Sequence, residues 1–125
     1  MAVDGIVVSV TSGKDNKDIS ILEVSGYLDT TTASELENSL YGLLKRDRFK
    51  LIVDLTRVSY ISSAGWGIFI GEIKEIRNHG GDLKLAGMVG DVHEVFQLLE
   101  FNSILECYPD IGSAEAAFPV VSRPD

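Results

Sequence analysis

The stretch KLIVDLTRVSYISSAGWG, residues 50–67, decides the fold of this chain. It begins with a nearly continuous β-branched and aliphatic run, which is typical of a strand covered on both faces. Ser62 and Ser63 interrupt that run, and a glycine-rich pattern follows at once. In this pattern large apolar residues recur at helical spacing, namely Trp66, Phe69, Ile70, Ile73 and Ile76. The stretch therefore predicts a buried strand ending near residues 59–61, a sharp turn and a helix.

The chain before this stretch predicts a hairpin followed by a helix. GIVVSV at residues 5–10 and ISILEVSG at residues 19–26 are strand-like runs separated by a polar turn, a pattern that favours antiparallel pairing. The next segment carries one apolar helical stripe, formed by Leu36, Leu40, Leu43 and Leu44. Thr32 with Glu35 three residues later predicts a capping box at the start of that helix.

The chain after the stretch continues the alternation of helices and strands. Gly80 and Gly81 are typical of a helix C-terminus. Residues 82–87 and 103–108 predict strands, residues 91–100 predict a helix capped by Asp91, and residues 113–118 predict a last short helix. The order β-β-α-β-α-β-α-β-α predicts an α/β fold with right-handed crossovers onto a mixed, mostly parallel sheet of four to five strands and about four helices. We expect one domain over residues 1–125, with its core at about 5–118 and a frayed tail at 119–125.

Composition narrows the class of function. The net charge is −8, which argues against binding nucleic acid directly or docking on an anionic membrane, since both need a basic field. Cys107 is the single cysteine, so an internal disulfide and a thiolate metal cluster are excluded. We expect a cytoplasmic protein without membrane insertion, because the chain shows neither a signal-peptide pattern at its start nor a long apolar run. We expect no metal or cofactor, because two distant histidines and one cysteine make no ligand spacing.

The serine turn does not predict a hydrolase. The residues two before Ser62 and Ser63 are Tyr60 and Ile61, so the G-x-S-x-G elbow is absent. The two histidines of the chain stand in a helix end and a short helix, and neither suggests a catalytic base. A serine nucleophile fails for lack of that base, and we expect no enzyme activity.

The glycines after the turn do not form a phosphate-binding motif. Gly65, Gly67 and Gly71 do not fit G-x-G-x-x-G, and no G-x-x-x-x-G-K-[ST] occurs in the chain. Gly67 and Gly71 form a G-x-x-x-G pair, which we interpret as close packing of the helix on its neighbours. The glycines therefore add no cofactor to the prediction.

On physical grounds, two uses of the serine turn are equally well supported. The turn lies at the carboxyl edge of the predicted sheet, where open α/β sheets expose their working groups. A serine there can cap the helix by accepting a backbone N–H bond, which is worth about 1 kcal/mol. A phosphate on the same serine would be held by the N–H groups and the positive dipole end of the helix, and its added charge would change what the surface binds.

The chain resembles a known family in three segments. They are VSGYLD, LIVDLTRVSYISSAGWGIFIGEIKEIRNHGGDLKLAGM and VHEVFQLLEFNSILECYPD, and the resemblance covers about residues 5–118. These segments are similar to the STAS domain of bacterial anti-sigma factor antagonists (anti-anti-sigma factors). The resemblance implies a protein that binds an anti-sigma factor with serine kinase activity. Phosphorylation of the turn serine then ends the complex, and a PP2C-type phosphatase removes the phosphate.

The resemblance also implies roles for individual residues. Alignment through the two glycines of ISSAGWG places the phosphoacceptor at Ser63, with Ser62 as second choice because it stands where the family usually has aspartate. We expect the partner to contact Asp29, Thr30, Ser62, Ser63, Ala64, Gly65 and Trp66. We expect Asp54 and Gly67 to have structural roles near the phosphorylated serine. We expect Trp66 to be exposed, because it lies in the first helical turn. The alternative keeps the fold without the switch, as a module that binds a small anionic ligand or nucleotide or serves as a transport-system subunit.

Overall fold

The structure is a computed structural model that describes residues 5–119. The strands are β1 Ile6–Ser12, β2 Ile19–Leu28, β3 Lys50–Ile61, β4 Asp82–Ala86 and β5 Glu106–Tyr108. The α-helices are α1 Ala33–Leu44, α2 Ser63–Asn78, α3 Gly90–Leu98 and α4 Ile111–Ala116, and a 3₁₀ helix spans Phe101–Ser103. This confirms the predicted element order. The expected frayed tail falls, apart from Pro119, outside the described residues.

The five strands form one mixed sheet in the order β1-β2-β3-β4-β5. β1 pairs antiparallel with β2, and every later pair is parallel, as expected for a hairpin followed by crossover units. The hairpin register pairs Ile6 with Gly26 and Ser12 with Ser20. The carboxyl ends of β2 and β3 therefore lie at one edge of the sheet, and the hairpin turn lies at the other.

The two faces of the sheet are covered unequally. Helices α1, α2 and α3 share the larger apolar core with the sheet, and fully buried members of that core include Leu36, Phe69 and Phe96. Helix α4 covers part of the other face through Ala114 and, just after the helix, Phe118. Burial on both sides is why the central strand β3 has so few polar residues in its first half.

Strand β3 extends beyond its neighbour β4 and delivers the serine turn. Its pairing with β4 stops at Asp54 opposite Ala86, whereas its pairing with β2 continues to Ile61 opposite Leu28. The β2–β3 register shifts twice along the way, each time with an extra residue on β3. Such bulges bend and twist a strand. The serine turn therefore stands on an arm of β3 that is supported by β2 alone.

The predicted capping box of α1 is wrong. The side chain of Thr32 makes no cap hydrogen bond to the helix. Its Oγ1 instead accepts from the amide of Asp29 at 2.9 Å and donates to the carbonyl of Tyr27 at 2.8 Å. The hydroxyl is therefore used to close the turn that precedes the helix.

The boundaries of the last elements also differ from the prediction. Helix α3 begins at Gly90 without a side-chain cap, so Asp91 lies in its first turn. The apolar residues Ile104 and Leu105 follow the 3₁₀ helix and pack in the core, but they are not part of a strand. Strand β5 therefore begins only at Glu106. Helix α4 starts earlier than predicted because Asp110 accepts the amide hydrogen of Ser113 at 2.7 Å.

Candidate functional site

The two serines of the turn between β3 and α2 have different structural roles. Ser62 is half-buried and is the N-cap of α2, where its Oγ accepts the amide hydrogen of Gly65 at 3.4 Å. Its own amide donates to the carbonyl of Leu28 at 2.7 Å, which ties the turn to the end of β2. Ser63 is exposed, and its hydroxyl makes no hydrogen bond within residues 5–119. The second serine is thus the accessible one.

Gly65 is the glycine that the local packing requires. A Cβ atom at this position would lie 2.8 Å from Cγ2 of Ile61 and 3.0 Å from Cβ of Leu28. The first turn of α2 can therefore lie against the end of β2 only without a side chain here. At Gly67 and Gly71, by contrast, an added Cβ would meet nothing within 4 Å. The prediction that this G-x-x-x-G pair serves close packing is wrong, because both glycines face outward.

The turn before α1 lies beside the serine turn. Asp29 accepts the amide hydrogens of Thr31 at 2.8 Å and Thr32 at 3.1 Å, and the Thr31 hydroxyl donates to the same carboxylate at 2.7 Å. The Thr31 hydroxyl bond is the main reason why the pKa of Asp29 lies below its usual value. Because Leu28 holds the Ser62 amide, this ordered turn and the serine turn share one edge of the sheet. Thr30 is exposed on it.

Trp66 is buried, so the expectation of an exposed aromatic residue is wrong. Its exposed fraction is 2%, and its ring packs on Phe69, Phe96 and Phe101 with centroid separations of 6.2, 5.8 and 5.2 Å. Helix α3 and the 3₁₀ helix cover this first turn of α2, and Trp66 continues the apolar stripe of Phe69, Ile73 and Ile76, which is buried along the helix. Its indole Nε1 is also buried and has no hydrogen-bond partner among the described residues.

An open apolar groove runs beside Ser63 between α2 and α3, and we call it the α2–α3 groove. Its volume is about 350 Å³, and it is lined by Trp66 on its buried side and by Tyr60, Ser63, Gly67, Ile70, Val95 and Leu99. Tyr60 is 56% exposed and Leu99 is 51% exposed. Exposed apolar side chains gathered around a concave surface are typical of a protein-binding site.

The STAS domain family matches residues 13–114. The chain belongs to this family. Among its relatives, the anti-sigma-B factor antagonist of Listeria monocytogenes is 31% identical over 93 residues, which cover 74% of this chain and 81% of that protein. The match places this STAS domain among relatives that are anti-sigma factor antagonists.

Two solved structures share the STAS fold found here. The crystal structure of an anti-sigma factor antagonist from Mycobacterium paratuberculosis superposes with a TM-score of 0.81 at 22% identity, covering 93% of this chain and 96% of that one. The Bacillus cell fate determinant SpoIIAA in its phosphorylated form superposes with a TM-score of 0.64 at 14% identity, covering 88% and 100%. At these identities the two likenesses show the fold.

The STAS domain does not bring all the predicted site residues together. Ser62, Ser63, Ala64, Gly65, Trp66 and Gly67 are consecutive, and Asp29 and Thr30 lie beside them through the Leu28 contact. Asp54 lies further back on β3, opposite Glu23, whereas Ile61 lies opposite Leu28, and these two β2 partners are about 17 Å apart at about 3.3 Å per residue. There its carboxylate accepts from the amide of Thr56 at 3.1 Å. Asp54 thus shapes the β3 arm rather than the serine turn.

Sequence reasoning missed the groove residues Tyr60, Val95 and Leu99. One signal was present in the sequence of α3, because Val95, Leu98 and Leu99 add apolar residues beyond the buried stripe of Val92 and Phe96. An apolar surplus on a short helix indicates a second apolar surface.

Within residues 5–119 of the STAS domain, no helix has the length and hydropathy to cross a bilayer.

Proposed function

We propose that this STAS domain is an anti-sigma factor antagonist that works by partner switching. The unmodified protein binds an anti-sigma factor that has serine kinase activity, and phosphorylation of Ser63 ends the complex. A PP2C-type phosphatase then restores the unmodified protein. In this proposal the protein acts in the cytoplasm as a regulator and not as an enzyme. The family and the relative named above, an anti-sigma-B factor antagonist, support this role.

The observation that carries the proposal is the division of work at the serine turn. The Ser62 hydroxyl is engaged with Gly65, whereas Ser63 is exposed in the first turn of α2 without a side-chain hydrogen bond in the described part of the chain. A kinase can therefore reach the Ser63 hydroxyl without breaking a native contact. Ser62 could be modified only with loss of the cap.

A phosphate at Ser63 would be compatible with the folded state. The first amides of a helix have no intrahelical partners, and the helix dipole favours negative charge at that end. The phosphate would add a charge of about −1.5 to −2 to a chain whose net charge is already −8. The fold is retained in this proposal, and the property that changes is the surface.

The surface that changes includes the α2–α3 groove, which we assign to the anti-sigma factor. Ser63 is exposed and lines this groove together with Tyr60 and Leu99. A dianionic group at this position must stay hydrated, so an apolar partner surface that covered it would have to remove that water at a high cost. Phosphorylation therefore expels the partner in two ways, through the cost of removing water from the phosphate and through the added negative charge.

Phosphorylation with matched serine variants tests the proposal. The wild type, Ser62→Ala and Ser63→Ala are incubated with the cognate kinase and ATP, and the products are mapped by mass spectrometry. We expect phosphate on Ser63 in the wild type and in Ser62→Ala, and none in Ser63→Ala. Ser62→Ala should also be about 1 kcal/mol less stable because it lacks the cap.

Binding measurements with the same kinase complete the test. We expect Ser63→Ala to bind as tightly as the unmodified wild type, and Ser63→Asp to bind at least tenfold more weakly. Equal affinity of the two variants, or phosphate found only on Ser62, would refute the switch at Ser63.

A further inference from the structure

A second cavity lies at the opposite edge of the sheet from Ser63. Its volume is about 390 Å³, and it is lined by Val10, Thr11, Ser12, Ser20, Leu43, Arg46 and Arg48. Ser12 and Ser20 face each other across the end of the β1–β2 hairpin, and the two arginines follow α1. We call it the arginine cavity. Its volume lies in the range of small-molecule sites, about 300–1,000 Å³.

The end of α1 brings the two arginines to this cavity. The amide of Arg48 donates to the carbonyl of Leu43, and the amide of Asp47 donates to that of Leu44, both at 3.0 Å. This is the Schellman pattern of helix termination, and it places Asp47 in the left-handed conformation with a φ of 59°. As a result Arg46 and Arg48 line the same cavity. Asp47 lines two neighbouring clefts, one of which Arg48 also lines.

The guanidinium groups of Arg46 and Arg48 use only part of their hydrogen-bonding capacity. Arg48 donates through Nε to the Ser20 hydroxyl at 3.0 Å and through Nη2 to the Lys17 carbonyl at 2.7 Å. Arg46 donates only through Nε, to the Gly42 carbonyl at 3.3 Å. Neither arginine forms an ion pair with a carboxylate of residues 5–119. Their remaining N–H donors therefore have no protein acceptor in the described part of the chain.

This combination is unusual in so acidic a chain. The chain has 19 acidic and 11 basic residues, and yet the arginine cavity is lined by two arginines and three hydroxyl side chains without a carboxylate. Guanidinium groups match the oxygen geometry of phosphate, and hydroxyls can donate to the same oxygens. We propose that the arginine cavity binds a small molecule through a phosphate-type oxyanion.

The proposed site is independent of the partner switch. The arginine cavity lies at the hairpin end of the sheet, whereas Ser63 follows the carboxyl end of β3. Ser63→Ala should therefore bind the oxyanion like the wild type. Failure of the partner switch would leave the cavity's binding unchanged, and the reverse also holds.

A titration with pyrophosphate, followed by amide NMR at constant ionic strength, tests the site. We expect saturable shifts centred on Thr11, Ser12 and Ser20. Arg46→Ala should weaken binding at least tenfold, since this exposed side chain contributes little to the fold. Arg46→Lys should weaken it less, because the charge is kept and the planar fork is lost.

Lys45→Ala is the matched control, because it removes the same charge from an exposed neighbour that does not line the cavity. It should bind pyrophosphate within about twofold of the wild type, and malonate should bind more weakly than pyrophosphate to the unaltered protein. The absence of saturable shifts, shifts centred elsewhere, malonate binding as tight as pyrophosphate, or equal losses in Lys45→Ala and Arg46→Ala would overturn the proposal.

Discussion

The Oγ atom of Ser62 lies 3.4 Å from the amide nitrogen of Gly65 and accepts its hydrogen. This bond closes the first turn of α2, and the missing side chain of Gly65 lets that turn lie against Leu28. The serine and the glycine three residues later are therefore parts of one device. The device fixes the start of the helix and leaves Ser63, which lies between them, facing solvent.

The two glycines of the first helical turns should respond oppositely to alanine. In Gly65→Ala the new methyl group would lie 2.8 Å from Ile61 and 3.0 Å from Leu28, so we expect a loss of about 1–3 kcal/mol in the free energy of unfolding. In Gly67→Ala nothing lies within 4 Å, and alanine should stabilise the helix by about 0.5–1 kcal/mol. Urea unfolding measures both variants. A Gly65→Ala protein as stable as the wild type would contradict the packing described here.

Two adjacent leucines of α3 and its end should separate partner binding from stability. Leu99 lines the α2–α3 groove, whereas its neighbour Leu98, which is 77% exposed, does not. We expect Leu99→Ser to weaken binding of the anti-sigma factor at least tenfold and Leu98→Ser to change it less than threefold. Both proteins should unfold within about 0.5 kcal/mol of the wild type, as exposed substitutions usually do. Calorimetric titration measures the affinities, and equal losses in the two variants would place the partner elsewhere.

Acid should release α4 before the rest of the fold. The Ser113 amide lowers the pKa of Asp110. Burial raises the pKa of Glu115, but the amide hydrogens of Asp15, Lys14 and Asn16 together lower it by a larger amount. The pKa of Glu115 therefore lies below its usual value. A lowered folded pKa means that the stabilisation is complete above the unfolded value, about 3.9 for Asp and 4.3 for Glu, and is lost as the pH falls through the folded value. Hydrogen exchange between pH 3 and 6 should show faster opening of α4 and of the hairpin turn in acid.

Glu115→Gln is the control for the acid prediction. The neutral amide keeps one acceptor oxygen but loses the charge-assisted bonds, so we expect a loss of about 1 kcal/mol near pH 7. The opening of the hairpin turn should then vary less with pH than in the wild type. The same acid response in the variant and the wild type would show that Glu115 is not the titrating group.

Much of the fold could be predicted from local patterns. The unbroken apolar run of β3, the helical stripe of Leu36, Leu40 and Leu43, and the glycines that end α2 all report burial or backbone geometry at their own positions. The capping box at Thr32 failed for the opposite reason. Its hydroxyl is claimed by Tyr27 and Asp29, and that competition depends on how the β2 end and the turn meet in space.

By itself, the sequence determined the order of strands and helices and the place of the serine turn at the carboxyl edge of the sheet. Periodicity and turn chemistry are local, and they need no knowledge of distant contacts. Only the three-dimensional structure decided that Phe96 and Phe101 cover Trp66, that Ser62 caps while Ser63 faces solvent, and that Arg46 and Arg48 line one cavity. The cap depends on the exact geometry of the turn, and the other two depend on which distant segments meet in space, which local spacing does not specify.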